Sequence, residues 1–316
     1  MFITASHAGQ AHYVTGLLLV AAAMCAIPGA RAASREPIVE ETSLYLNVEK
    51  NNQLITGLGP RNFRLYIDGK FAPFRLEPPE EQTSIVVLAE FSRSSGYYFE
   101  DIDTAVRAFP RRAPTDGYWY ALATYSQNLE VSVDFTQSPG EILAAWPRVP
   151  APMWNEIHTY DAIYETLDKM GRLPGRRILI VIGSGIDTSS EHTMNDVKKK
   201  LEAVNVVVFV AGAGSAFRGA MESYLNSSAR MTLLQARAFL KMLADSSGGF
   251  SWFPMMPNGF PDVIEGIMQS VASQYRLVCQ LPLDVTGKFH KIKVEAFRIV
   301  DDKREDFKVL VRSGWR

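Results

Sequence analysis

The sequence has little cysteine and no excess of either charge. Two cysteines in 316 residues exclude a disulfide scaffold. The 33 Lys and Arg residues nearly balance the 34 Asp and Glu residues, which leaves no basic field to hold a phosphate backbone. We therefore expect no nucleic-acid partner. Hydrophobic residues make up 47% of the chain and charged residues 21%, as in an ordinary globular protein.

Apolar runs long enough to span a membrane are also missing. The run from Val14 to Ile27 is shorter than the roughly twenty residues that a spanning helix needs. It leads into Ala30-Arg31-Ala32, the small-x-small pattern that a signal peptidase accepts. We predict a signal peptide over residues 1–32, cleaved after Ala32 or Ala33, with a retained anchor as the alternative. The mature chain is then exported, to the periplasm or outside the cell, and has no membrane span.

Both ends of the mature chain show the alternating pattern of half-buried strands. Leu44, Leu46 and Val48 alternate in the first segment, residues 38–80, and Asp68-Gly69 predicts a tight turn into a strand from Phe71 to Leu76. The last segment, residues 275–316, predicts three more strands. Its Cys279 lies among apolar residues and is expected to be a buried, unreactive thiol. We predict that the two segments pair into one small β-sandwich.

The middle of the chain, residues 84–273, has a different periodicity. Continuous apolar runs cover 85–89, 178–182 and 206–210, as expected for strands that are buried on both faces of a sheet. Helical patterns alternate with these runs, and 119–135 reads as an edge hairpin. The fold class is therefore α/β, with a doubly wound, mainly parallel sheet and helices on both faces. Ligands of such sheets bind at the carboxyl ends of the strands.

Oxygen-bearing side chains follow two of these strands. Glu90, Ser92 and Ser94 come directly after the first, and Ser184 and Asp187 come after the run at 178–182. A carboxylate with hydroxyls on one turn suits a hard divalent cation such as Mg²⁺. The loops at these strand ends are therefore the candidate site.

These loops resemble the metal-ion-dependent adhesion site of the von Willebrand factor type A domain, which uses D-x-S-x-S, a Thr from a second loop and an Asp after the fourth strand. Further landmarks are Ile55-Thr56-Gly57-Leu58, Phe63 to Lys70, Tyr160 to Tyr164, Ser184 to Asp187 and Gly287 to Val294. Across nearly the whole mature chain, these landmarks resemble the secreted bacterial VWFA-related family. The resemblance implies a vWA-like domain with flanking β segments.

The chain departs from the motif that this resemblance implies. Glu90 replaces the first Asp, Ile157 falls where the Thr would be, with Thr159 two residues on, and Ser184 takes the place of the second Asp. Asp187 lies three residues too late in its loop. So few carboxylates undercompensate a divalent ion, which favours a degenerate site whose hydroxyls bond the loop backbone. Binding of Mg²⁺ or another divalent cation is the alternative.

Motifs for catalysis or cofactor binding are weak. Gly212-Ala213-Gly214 follows a strand, but Phe217 stands where a dinucleotide loop needs a third small residue, and residues 215–230 show little helical regularity. His158, His192 and His290 are too widely spaced to suggest zinc, and His290 is explained by a solvated strand face. No G-x-S-x-G elbow occurs. We therefore expect no catalytic residue and no organic cofactor.

The function predicted from these residues is that of a secreted, non-enzymatic protein-binding module that uses the upper face of the vWA-like domain. Tyr97 and Tyr98 follow the candidate site and are the predicted contacts with a protein partner. The alternative is a structural or assembly component of the cell envelope, in which the vWA domain is a scaffold. A hydrolase is a third hypothesis.

Overall fold

The computed structural model describes residues 39–80, 82–282 and 287–316, which build two separate β-sheets. The predicted signal peptide lies outside the described residues. In the part of the chain that they cover, no helix is both long and apolar enough to cross a bilayer.

The first sheet is antiparallel and takes its strands from both ends of the chain. Its hydrogen-bonded order is β4-β3-β13-β14-β1-β12-β5, with β2 on β1 and β15 on β13. The pairing of the two terminal segments is therefore confirmed. The strands are β1 (Val39–Lys50), β2 (Gln53–Leu54), β3 (Phe63–Ile67), β4 (Lys70–Ala72), β5 (Phe74–Glu77), β12 (Tyr275–Pro282), β13 (His290–Val300), β14 (Lys303–Val311) and β15 (Gly314–Trp315).

Alternate side chains of this sheet share one hydrophobic core. Leu44, Leu46 and Val48 of β1 point into it, together with Phe63 and Cys279. Burial raises the pKa of the Cys279 thiol to about 12, so it stays protonated and inert at neutral pH, as predicted. The strands form a single hydrogen-bonded path, and a division into two facing sheets stays a prediction.

The second sheet is the predicted parallel one. It has the order β11-β10-β9-β6-β7-β8, which corresponds to 3-2-1-4-5-6 when its strands are counted along the chain and read from β8. This is the order of a doubly wound sheet. Only the β7–β8 hairpin at the edge is antiparallel. The strands are β6 (Thr83–Glu90), β7 (Tyr118–Tyr125), β8 (Leu129–Thr136), β9 (Arg176–Gly183), β10 (Val207–Gly212) and β11 (Ser251–Trp252).

Helices cover both faces of the parallel sheet, as predicted. Ile85 and Val87 of β6 pack into one core with α1 and α7, while Val86 and Leu88 pack into the other with α3, α4 and α6. The alternation follows from the two-residue period of a strand. The helices are α1 (Phe99–Ala108), α2 (Pro139–Ala145), α3 (Thr159–Gly171), α4 (Met194–Ala203), α5 (Ser215–Met221), α6 (Ser227–Ser247) and α7 (Phe260–Ala272).

A buried arginine lies at the amino end of this sheet. Arg176 begins β9 and is almost fully enclosed. Its guanidinium group donates to Thr83 Oγ1 at 3.0 Å, to the Val271 carbonyl at 2.9 Å and to the Tyr118 hydroxyl at 3.2 Å. These acceptors join β6, β7 and α7 at the point where the three elements meet.

Three local predictions were wrong. The strand predicted from Phe71 to Leu76 is divided at Pro73, which cannot donate a ladder hydrogen bond, so β4 pairs with β3 and β5 with β12. Residues 215–230, predicted to have little helical regularity, form α5 and the start of α6, which Asn226 caps through the Ala229 N–H. His290 is buried rather than solvated, because its ring bonds Asp68 at 2.8 Å and stacks on Trp315.

Candidate functional site

Three neighbouring parallel strands end side by side at the upper edge of the second sheet. Glu90 is the last residue of β6, Gly183 ends β9, and Gly212 ends β10 opposite Gly183. Because the strands are parallel, the loops that follow them meet at this edge. The sequence prediction that these loops converge is consistent with this register.

Glu90 is the centre of the edge, and its side chain points inward. The residue is completely buried. One carboxylate oxygen, Oε1, accepts the Tyr98 hydroxyl at 2.6 Å, and the other, Oε2, accepts both the N–H and the hydroxyl of Ser184 at 2.7 Å. Burial raises the pKa of Glu90, although the donors from Tyr98 and Ser184 act in the opposite direction. Both oxygens are therefore occupied by hydrogen bonds within the protein.

The backbone of β9 has to come close to this carboxylate. A Cβ atom on Gly183 would lie 2.8 Å from the Tyr125 hydroxyl and 2.9 Å from Glu90 Oε2. A side chain at this position would require Tyr125 or Glu90 to shift. Glycine at the end of β9 therefore leaves the hydrogen bonds between Glu90 and Ser184 undisturbed.

The other predicted ligands from the first loop, Ser92 and Ser94, form hydrogen bonds with backbone groups. Ser92 Oγ accepts the Ser95 N–H at 3.0 Å, and the Ser95 hydroxyl returns a bond to the Ser92 carbonyl at 2.7 Å. The Ser94 hydroxyl donates to the carbonyl of Asn155 at 2.9 Å. The bonds between Ser92 and Ser95 lie at the start of a short helical turn over residues 94–98.

Thr159 and Asp187 belong to a neighbouring set of bonds at the start of α3. Thr159 is buried, and its hydroxyl donates to the Ile186 carbonyl. Asp187 Oδ1 accepts the Tyr160 N–H at 3.1 Å and the Ser190 hydroxyl at 2.5 Å. The two side chains therefore fasten the loop after β9 to the first turn of α3.

The structure thus brings together two of the six predicted ligands, Glu90 and Ser184, and gives the other four separate partners. Within the described residues, no group of three or more His, Cys, Asp and Glu side chains is placed to hold a metal ion. A divalent cation needs several free oxygen ligands that converge on one point. The donor set at this edge does not fit that requirement, because its carboxylate is enclosed and both of its oxygens already accept hydrogen bonds.

The two tyrosines predicted as partner contacts have different environments. Tyr97 is 76% exposed, and its ring stacks on Phe217 with centroids 5.0 Å apart and planes at 22°. Tyr98 is only 7% exposed; its hydroxyl bonds Glu90, and its ring lies against Gly214. The prediction of Tyr98 as a surface contact is corrected: this side chain holds the carboxylate from inside.

Two residues of the upper edge were not identified from the sequence. Phe217 of α5 supports Tyr97, and Asp101 of α1 accepts the Gly214 N–H at 2.8 Å. The glycines of the Gly212-Ala213-Gly214 loop were the one local sequence feature that pointed to this part of the edge. Its glycines have structural reasons: Phe253 packs where a Cβ of Gly212 would lie, and Gly214 has a φ of +84°.

The surroundings of His158, near the start of α3, bear on the hydrolase hypothesis, which needs a serine, a histidine and an acidic residue in line. His158 Nε2 lies 3.0 Å from the Ser189 hydroxyl, but its Nδ1 is 3.8 Å from Asp161, beyond hydrogen-bond distance. Asp161 instead bonds His192 at 2.7 Å. Serine, histidine and aspartate are therefore close but are not aligned as a catalytic triad is.

Comparison with known proteins finds solved structures that are similar to parts of this chain. No family model matches the chain, and no curated protein matches it. An aerotolerance-related membrane protein from Bacteroides fragilis has a TM-score of 0.44 at 10% identity, over 59% of this chain and 98% of that one.

Two other solved structures are similar to larger parts of the chain. The ArnB paralog VWA2 from Sulfolobus acidocaldarius has a TM-score of 0.43 at 14% identity, over 87% of this chain and 75% of that one. A mutant of the PilB minor pilin from Streptococcus sanguinis has 0.47 at 8% identity, over 74% and 79%. All three scores lie below 0.5, so the function of this chain is inferred from its own geometry.

Proposed function

We propose that the chain is an exported, non-enzymatic protein-binding module of the vWA type that binds its partner through the upper edge of the parallel sheet. The observation that carries this proposal is the state of Glu90. Glu90 stands in place of the first Asp of the adhesion-site motif that the chain resembles. Its side chain is enclosed and bonded to Tyr98 and Ser184. We infer that the adhesion-type metal site is degenerate and that the edge binds without a metal.

The upper edge combines a fixed interior with an exposed aromatic surface. The bonds of Glu90 fix Tyr98 and the loop after β9, while the adjacent Tyr97 remains open to solvent on its stack with Phe217. Exposed aromatic side chains that are already held in place bind with a small loss of conformational entropy. Ser184 donates its hydroxyl to Glu90 rather than to a histidine, which supports a binding role over a hydrolytic one.

Co-purification with the full chain, in buffer containing EDTA, tests this function. We expect a partner protein that is retained by the wild type and lost on Tyr97→Ser. The matched control is Phe71→Ser, because Phe71 is 63% exposed but lies on the antiparallel sheet. Retention that requires a divalent cation, or that persists in Tyr97→Ser, would contradict the proposal.

Exposed apolar side chains favour a second candidate function, an assembly component of the cell envelope. Phe71 lies on the edge strand β4, and Ile299 and Val300 lie at the end of β13, all exposed. An edge strand with an exposed aromatic residue can pair with another chain. Loss of the partner on Phe71→Ser, with Tyr97→Ser unaffected, would support this function and make the vWA-like part a scaffold.

A further inference from the structure

Two arginines lie near the end of β10, where α5 and Phe253 meet the upper edge. Arg218 directly follows Phe217 in α5, while Arg237 of α6 places its guanidinium carbon 4.2 Å from the centroid of the Phe253 ring. Phe253 covers Gly212 at the end of β10, and α5 begins three residues after Gly212. Both arginines therefore belong to the same upper edge as Tyr97.

The positive charges of the two arginines oppose each other. Burial lowers the pKa of the Arg218 guanidinium, and the charge of Arg237 lowers it further, whereas Glu222 has the opposite influence. In the described part of the chain neither arginine forms an ion pair with Glu222 or with another carboxylate. Because no carboxylate of the described residues holds either guanidinium group in an ion pair, their N–H groups and positive charge are available to a ligand.

Apolar side chains border the two arginines. Met255 is 60% exposed, and its methyl group lies 3.8 Å from where a Cβ of Gly219 would be, so it flanks α5. Methionine and aromatic rings form adaptable contact surfaces. We call the six residues the arginine–aromatic surface: Tyr97, Phe217, Arg218, Arg237, Phe253 and Met255.

We propose that the arginine–aromatic surface binds an extended polypeptide segment in which a carboxylate is flanked by apolar side chains. This proposal rests on the proposed function and names the chemistry of its partner. A guanidinium group binds a carboxylate through two parallel N–H···O bonds, and two such groups can share one acidic segment. Tyr97, Phe217 and Met255 would cover the apolar neighbours of that carboxylate and exclude water from the charged contact.

Selection from a displayed library of random short peptides tests this chemistry with the full chain as bait and EDTA present. We expect the enriched peptides to carry Asp or Glu next to Leu, Phe or Tyr. Fluorescence anisotropy then gives the affinity of an enriched peptide for each variant. Arg218→Gln and Arg237→Gln should each weaken binding by about tenfold, as should Asn or Gln in place of the acidic residue of the peptide.

Matched controls separate this contact from a general effect of charge. Lys70→Gln and Lys199→Gln remove exposed lysines from β4 and α4, and they should leave peptide affinity unchanged. A double-mutant cycle between each arginine and the acidic residue of the peptide should show coupling. Thermal unfolding of the arginine variants should match the wild type, which excludes a loss of folding as the cause.

The outcomes distinguish the two proposals. Enriched peptides that bind through Tyr97 but not through Arg218 and Arg237 would overturn the acidic partner and leave the proposed function standing. Failure to enrich any peptide, or binding that is insensitive to Tyr97→Ser as well, would overturn both. Enrichment of basic or purely apolar peptides, or binding only to vesicles of anionic phospholipid, would also overturn the acidic polypeptide as the ligand.

Discussion

The amino and carboxyl edges of the parallel sheet each bury an ionisable side chain, and the two differ in what surrounds it. Arg176 at the amino edge is closed in by Thr83, Tyr118 and α7. Glu90 at the carboxyl edge is equally buried and bonded, but it lies next to an exposed aromatic residue, Tyr97. A buried ionisable side chain by itself therefore does not identify a binding site. In the proposed function, the exposed groups fixed beside it do.

Removing the arginine should have the largest effect on stability. Arg176→Ala leaves buried acceptors on Thr83 and α7 without a donor and creates a cavity, so it should destabilise the protein by about 3 to 5 kcal/mol. Urea denaturation measures the loss. Arg172→Ala is the matched control, because that exposed side chain pairs with Asp168 at the surface and its loss should cost less than about 1 kcal/mol. Equal costs for the two variants would contradict this structural role.

Crowding at the carboxyl edge gives the next largest effect. Gly183→Ala would push a methyl group against Tyr125 and Glu90, and we expect a destabilisation of about 1 to 3 kcal/mol. Gly266→Ala in α7 meets nothing within 4 Å and should stabilise the chain by up to about 1 kcal/mol through helix propensity. The same sign for both substitutions in denaturant titrations would argue against the close approach of β9 to Glu90.

The pH dependence of stability should sharpen the contrast further. Burial raises the pKa of Glu90 above its ordinary value of 4.5, so the folded state favours the protonated carboxyl. The stabilisation from the protonated carboxyl of Glu90 is complete below pH 4.5. It is lost as the pH rises through the raised pKa of the folded state. Wild-type stability should therefore fall relative to Glu90→Gln as the pH increases above 4.5. Unfolding curves that run parallel in the two proteins across this range would refute the expectation.

Relief of repulsion at the arginine–aromatic surface should give the smallest effect. Arg218→Gln removes one of two neighbouring cations, so thermal stability should stay the same or rise by a few tenths of a kcal/mol. Differential scanning calorimetry measures the change. A clear loss of stability would mean that Arg218 holds the fold together rather than serving a ligand.

Much of the fold could be predicted because its signals are local. The buried strands β6, β9 and β10 are continuous apolar runs. Such a run indicates a strand buried on both faces, whichever elements pack against it. The convergence of Glu90 and Ser184 followed from the rule that parallel strands end at one edge. Pro73 shows the limit of such local signals. It has no backbone N–H to donate, and the strand after it, β5, pairs with β12 instead of continuing β4.

The surface of the site could not be predicted, because it depends on contacts between distant elements. Tyr97 and Tyr98 are adjacent in sequence, but the short turn that carries them sends one ring outward and the other to Glu90. The position of Arg237 beside Phe253 likewise depends on how α6 packs against β10 and β11. Local periodicity carries no information on such contacts.

Thermal unfolding of the full chain in EDTA and then in millimolar Mg²⁺, Mn²⁺ or Ca²⁺ tests the central claim, that the upper edge works without a metal. A cation at about a hundred times its dissociation constant would stabilise the native state by about 2.7 kcal/mol and raise the Tm by several degrees. Because the carboxylate of Glu90 is enclosed and both of its oxygens accept hydrogen bonds within the protein, we predict the same Tm in every buffer. A rise of several degrees with any of these ions, abolished by Glu90→Gln, would contradict the claim.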